Sequence, residues 1–171
     1  MMKKKYYNNR LTMSKGSMNM KIIKVINDED KKKITRAILE ALPEWFGIVE
    51  AREEYILDSV GKEFFCAIEK DKVVGFLYLK QTGKDTIELA VMGVLKEYHR
   101  KGIGRALFEY AKESIKESGY SFIQVKTVKM GMYEDYDRTN QFYISLGFKE
   151  FEVLNSLWDE NNPCQIYVMA I

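Results

Sequence analysis

Basic residues and glycines converge at one place in this chain of 171 residues. The run His99-Arg100-Lys101-Gly102-Ile103-Gly104-Arg105 follows an apolar, β-branched stretch, residues 86–94, that reads as a strand. It leads into apolar residues at Ile103, Ala106, Leu107, Tyr110, Ala111 and Ile115, the spacing of a helix with one face on a core. A strand thus ends in a basic, glycine-containing turn that opens a helix. The first amides of a helix have no intrahelical acceptor, and the helix dipole is positive at that end. Gly102 and Gly104 bring no Cβ to hold a bulky anion off the backbone, and Arg100, Lys101 and Arg105 add full charges. The chemistry this implies is a cradle for pyrophosphate.

Two phosphate loops do not fit it. The run G-x-x-x-x-G-K-[ST] of the P-loop is absent from the sequence. The dinucleotide fingerprint G-x-G-x-x-G/A fails at Leu107, where its third small residue should stand. The residues 99–104 do resemble the [Q/R]-x-x-G-x-[G/A] signature of the GNAT superfamily of acetyl-CoA-dependent N-acetyltransferases, with His99 in place of Gln or Arg. Further on, Thr139-Asn140-Gln141-Phe142-Tyr143-Ile144-Ser145-Leu146-Gly147-Phe148 is similar to that family's second signature, A-x-x-F-Y-x-x-x-G-F.

The resemblance covers residues 20–171 and implies an α/β fold. Its centre is a mixed, mostly antiparallel sheet of about six to seven strands, splayed at the acetyl-CoA site and flanked by about four helices. It implies acetyl-CoA as co-substrate and no metal. The backbone of Met92, Val94 and Leu95 would pair with the pantetheine arm. The segment His99, Arg100, Lys101, Gly102, Ile103, Gly104 and Arg105 would hold the pyrophosphate. Tyr136 stands where the family often has an Asn near pantetheine, and Thr139 where it has a small Ala. Gly93, inside a strand, marks a bulge or a close backbone approach.

The reaction itself sets further requirements. An amine with a pKa near ~10.4 is mostly protonated at neutral pH, so a base must take its proton before it attacks a thioester. The developing oxyanion needs an N–H donor, and the departing thiolate benefits from an acid. By the resemblance Tyr143 is the acid; the other reading is a core tyrosine beside Phe142. Glu88, on the strand before the turn, is the base candidate; the other reading is a solvent-facing strand glutamate. The function implied is acetyl transfer to a primary amine of a small molecule or peptide by direct attack within a ternary complex. The alternative is a non-catalytic CoA-binding sensor or interaction module of the same fold. Trp45-Phe46, Met130, Met132-Tyr133 and Leu157-Trp158 would wall the acceptor pocket, with Glu44, Glu134, Asp135 or Asp159 to attract an amine.

The elements that must position these residues can be read in order. A strand at 21–26 precedes a helix capped by Asp28 or Asp30, with Ile34, Ala37, Ile38, Ala41 and Leu42 facing the core. A turn at 43–47 follows, then a helix at 49–60 with Ile48, Tyr55 and Ile56 inward. A hairpin, 64–69 and 73–80, leads to the strand before the turn. After the phosphate-side helix come a strand at 122–127, the second signature helix, and strands at 148–155 and 164–171.

Net charge is +2, yet residues 1–19 carry Lys3, Lys4, Lys5, Arg10 and Lys15 and no acid, so the remainder holds more acids than bases. Residues 1–19 read as a flexible basic tail, and residues 20–171 as one acetyltransferase domain whose charge argues against nucleic acid as partner. Cys66 and Cys164 lie in apolar runs and read as buried free thiols. One histidine and two cysteines make no metal cluster. No apolar run approaches the ~20 residues of a membrane helix, which points to a cytoplasmic protein with no membrane partner and leaves a homodimer open.

Overall fold

The computed structural model describes residues 11–13 and 20–171, which divide into two compact units. The first takes the chain up to Lys80 together with Val91–Ser114; the second takes Gln81–Ala90 with Ile115–Ile171. Of the expected tail, Leu11–Met13 form strand β1, paired antiparallel with Met20–Ile22; the rest of 1–19 lies outside the described residues.

The first unit holds β2 (Met20–Lys24), α1 (Asp28–Glu40), α2 (Pro43–Phe46), α3 (Val49–Asp58), β3 (Glu63–Glu69) and β4 (Lys72–Gln81). It also holds the end of β5 (Thr86–Val94) and most of α4 (Ile103–Glu117). β2/β3 and β3/β4 are antiparallel. The β3–β4 turn places Lys70 and Asp71 at φ 47° and 64°, the positive pair that a two-residue hairpin turn needs. Asn27, rather than Asp28 or Asp30, caps α1 by accepting from the Asp30 amide at 3.0 Å. The buried face of α1 is Lys31, Thr35, Ile38 and Leu39, continued by Leu42, whereas Ala37 and Ala41 are exposed. The helix is therefore rotated from the expected face. Leu39 and Leu42 bury more apolar surface than the two alanines could, and Lys31 is tolerated inside because Asp28 meets its ammonium at 2.8 Å. Where a turn was expected at 43–47, α2 adds a four-residue helix with Pro43 at its start. Ile48, expected inward, is 64% exposed because it precedes the first turn of α3.

The second unit begins with the first half of β5, then β6 (Phe122–Val128), α5 (Glu134–Leu146), β7 (Lys149–Asp159) and β8 (Asn162–Ala170). β5 and β6 run parallel, in register from Thr86↔Phe122 to Glu88↔Gln124. β6/β8 and β7/β8 are antiparallel, and β8 lies between β6 and β7. From β2 to β8 the described residues give a seven-stranded mixed sheet, mostly antiparallel, flanked by five helices.

Both cysteines are buried and unpaired, and burial pushes the Cys66 thiol up to about 12 and the Cys164 thiol up to about 11. The thiolate is the reactive form. A disulfide-exchange reagent at pH 8 is therefore expected to label neither thiol in the folded protein and both after denaturation; rapid labelling of either without denaturant would contradict this burial.

Candidate active site

In the first unit, β5 ends at Val94 and a short 3-10 turn, Lys96–Tyr98, carries the chain to α4. Arg100 has φ 58° and Gly102 φ 80°, so the chain reverses through two left-handed residues before Ile103 enters the core as the first residue of α4. A Cβ at Gly102 would meet nothing within 4 Å, so the glycine there answers to backbone conformation and to open space beside it. Arg100, Lys101 and Arg105 are exposed, and the first turn of α4 contains no acid. Lys101 Nζ stands 5.0 Å from the centre of the Tyr98 ring. An exposed helix start with cations and no carboxylate in its first turn fits the pyrophosphate that the sequence implied.

His99 is engaged within the fold. Its Nε2 lies 2.6 Å from the Val94 carbonyl oxygen, and its ring meets Trp45 edge-on with centroids 5.9 Å apart. It ties the turn to the end of β5. Leu95 also has both backbone groups engaged: its amide donates to Val74 at 2.9 Å and its carbonyl accepts from Tyr98 at 2.8 Å. Gly93 does mark a close approach, but by side chains: an added Cβ would stand 2.8 Å from Ile38 Cγ2 and 3.2 Å from Leu42 Cδ1. Helix α1 requires this glycine for packing.

In the second unit, Glu88 is buried, not solvent-facing. Its Oε2 receives Lys126 Nζ at 2.7 Å and Gln124 Nε2 at 3.2 Å. Gln124 and Lys126 share one face of β6, as residues two apart on a strand must. Both partners lie far from Glu88 along the chain, 36 and 38 residues on, and no pattern around Glu88 announces them.

Tyr143 is the buried residue of its pair and Phe142 the half-buried one. The cause is the buried stripe Asn140, Tyr143 and Leu146 on α5. The Tyr143 ring contacts Phe148 and Tyr167 at centroid distances of 5.9 and 6.5 Å. Burial pushes its phenol up, and the negative charges available to Tyr136 and Glu88 push the same way. Asn140, not singled out from sequence, is fully buried. Its Nδ2 donates to the carbonyls of Val128 at 2.9 Å and Tyr136 at 2.7 Å, and its Oδ1 accepts from the Tyr167 hydroxyl at 2.7 Å. It fastens α5 to β6 and β8.

The residues expected to wall an acceptor pocket are more occupied than the sequence suggested. Trp45 and Phe46 are half-buried, the latter edge-on to Tyr55 at 5.9 Å. Glu44 pairs with Lys96, whose hydrogen bond holds its carboxyl below the usual carboxylate range. Glu134 and Asp135 both pair with Arg138, and Asp159 accepts from Asn161 and Asn162 in its own turn. Each of the four acids proposed to attract an amine already has a partner. Met132, Tyr133, Leu157 and Trp158 are exposed. Among the described residues no helix is long and apolar enough to cross a membrane, and no group of three acidic, His or Cys side chains could hold a metal.

An uncharacterized N-acetyltransferase of Chlorobaculum tepidum is 30% identical over 99 residues, covering 58% of this chain and 57% of that protein; the chain thus spans little more than half of the relative's length. A GNAT-family structure from Desulfovibrio desulfuricans superposes with TM-score 0.74 at 19% identity, over 88% of this chain and 98% of the other. An aminoglycoside 6'-N-acetyltransferase complexed with coenzyme A gives TM-score 0.68 at 18% identity, over 87% and 96%. The family described as the acetyltransferase (GNAT) domain matches residues 60–150, a segment that begins before β3 and ends within β7 and takes in both signatures. By that match the chain belongs to the GNAT acetyltransferase family.

Proposed function

We propose that the protein transfers the acetyl group of acetyl-CoA to a primary amine, by direct attack while both substrates are bound. The observation that carries this reading is the basic left-handed turn at the start of α4, with Arg100 and Gly102 at positive φ and no acid in the first helical turn. Amides from Arg100 to Arg105 hold the pyrophosphate, and the backbone of Met92 and Val94 pairs with the pantetheine arm. Tyr136 borders that arm.

Glu88 takes the amine proton, directly or through water, as the nitrogen forms its bond to the acetyl carbon. Its contacts with Lys126 and Gln124 both fall on Oε2, so a proton taken from the amine goes to Oε1 without breaking them. The thiolate leaves as CoA, and the Tyr143 hydroxyl protonates it. A CoA-binding module without transfer activity would use the same turn, and thiol release distinguishes the two. Residues 20–171 make up the acetyltransferase domain in this reading, and a cytoplasmic location suits a co-substrate found inside cells.

The test is release of free CoA from acetyl-CoA by the purified protein, measured across amines and peptides. Acceptor-dependent release is expected, and binding of acetyl-CoA without release for any amine would leave the module reading. Glu88→Gln is expected to lower the rate mostly below the pH optimum, with partial recovery as the amine loses its proton unaided at higher pH. An unchanged pH–rate profile would remove Glu88 from the base role.

A further inference from the structure

We propose that Lys126 is a positioning residue for acetyl transfer: it keeps Glu88 ionised and leaves one carboxylate oxygen open to the amine's proton. The proposal rests on the acetyl-transfer reading above and adds the residue that keeps its base in working form. A carboxyl accepts a proton only as the carboxylate. In general, burial favours the neutral acid, and a cation within a few ångströms favours the charged form. Glu88 is buried, so its use as a base depends on what stands beside it.

Strand register brings the side chains together. The parallel pairing of β5 with β6 runs to Glu88↔Gln124, and Lys126, two residues on, shares the face of Gln124. Lys126 Nζ reaches back to Glu88 Oε2 at 2.7 Å, and Gln124 Nε2 donates to the same oxygen at 3.2 Å. Gln124 Nε2 also donates to Thr82 Oγ1 at 3.0 Å, which braces the amide from the loop before β5. Oε1 accepts no hydrogen bond among the described residues. It is not sealed in, for the Glu88 side chain keeps 11% of its surface exposed. A carboxylate that served structure alone would be better satisfied with donors on both oxygens. Here both donors fall on one.

The other titratable groups around Glu88 cannot do the work of Lys126. Burial is the first cause of the upward shifts at Tyr143 on α5 and Cys164 on β8, and Glu88 adds to both. Tyr136 adds to the shift at Tyr143, and Lys126 opposes the one at Cys164. Two tyrosines and a cysteine are neutral or negative in either protonation state. Among the described residues, Lys126 is therefore the cation that answers Glu88.

The experiment follows CoA release by the full-length protein across the pH range in which it stays folded, corrected for the uncatalysed reaction. Two nucleophiles are compared: ethylamine, which must lose a proton before attack, and hydroxylamine, already uncharged near neutrality. In Lys126→Met the acid limb of kcat/KM for ethylamine is expected to move up by about one pH unit or more, a loss of about 10-fold on that side. Hydroxylamine turnover should fall less. Lys126→Arg should keep the parent's profile. Adding Lys126→Met to Glu88→Gln should lower the rate no further, because the ammonium then has no carboxylate to act through. That double variant leaves no buried charge unpaired, and Lys126→Gln replaces Lys126→Met should the latter unfold. Equal losses with the two nucleophiles, an unmoved acid limb, an arginine variant as poor as the methionine one, or additive losses in Glu88→Gln would each overturn the proposal. Release indifferent to Glu88 and Lys126 alike would overturn it and leave acetyl transfer standing. No release with either nucleophile would overturn the transfer reading as well.

Discussion

Tyr143→Phe is expected to lower acetyl-CoA turnover by about 10²-fold or more, the lower end for a lost general acid, while acetyl-CoA affinity stays near the parent's. The substitution keeps the ring that packs against Phe148 and Tyr167 and removes one oxygen. The phenol's upward shift, caused first by burial, means that the hydroxyl still carries its proton throughout any working pH range. An alkaline limb in the parent's pH–rate profile below pH 10 would then belong to another group and should persist in the variant.

The same shift gives a second readout, on stability. A phenol whose folded pKa lies above its unfolded value keeps its proton in the native state while the unfolded chain loses it. Its stabilising contribution is complete below about pH 10 and is lost as pH climbs toward the folded value. Urea midpoints measured from neutral to strongly alkaline pH should fall less steeply for Tyr143→Phe than for the parent. A variant with parental turnover across several acceptors would make Tyr143 a packing residue, whatever the urea data show, and would send the search for the acid to Tyr136.

What could be read in advance divides along a physical line. The strand–turn–helix from β5 to α4 was legible because three local signals agree there: β-branched periodicity, glycine with basic residues, and helical apolar spacing. The face of α1 was not, because Ala37 and Ala41 fit a helical stripe as well as Thr35 and Leu39 do, and only packing against the sheet decides between them. Tyr143 and Phe142 posed the same problem. Periodicity says that adjacent helical residues diverge by about 100°, not which of them turns inward. Glu88's partners come from β6, 36 and 38 residues away, and no local pattern reports a contact of that range.

Gly104→Asp is expected to weaken acetyl-CoA binding by about 100-fold or more, without destabilising the fold. Gly104 is the second residue of α4 and is half-buried. An aspartate there replaces a poor helix former and sets a negative charge at the positive end of the dipole, where it stabilises the helix by about 0.3–1 kcal/mol. The same field is what a pyrophosphate would use, so the carboxylate competes with the ligand for it. Two like charges about 4 Å apart cost about 4 kcal/mol at an effective dielectric near 20, and 100-fold in affinity corresponds to about 2.7 kcal/mol. Gly104→Asn, close to the same size and uncharged, separates bulk from repulsion: a milder loss than aspartate's assigns the difference to charge, an equal one to the missing Cβ. Thermal unfolding at or above the parent's temperature, with calorimetric affinity sharply reduced, is the expected pair of results. Parental affinity in a folded aspartate variant would mean that the turn at Gly102 and Gly104 does not hold the pyrophosphate.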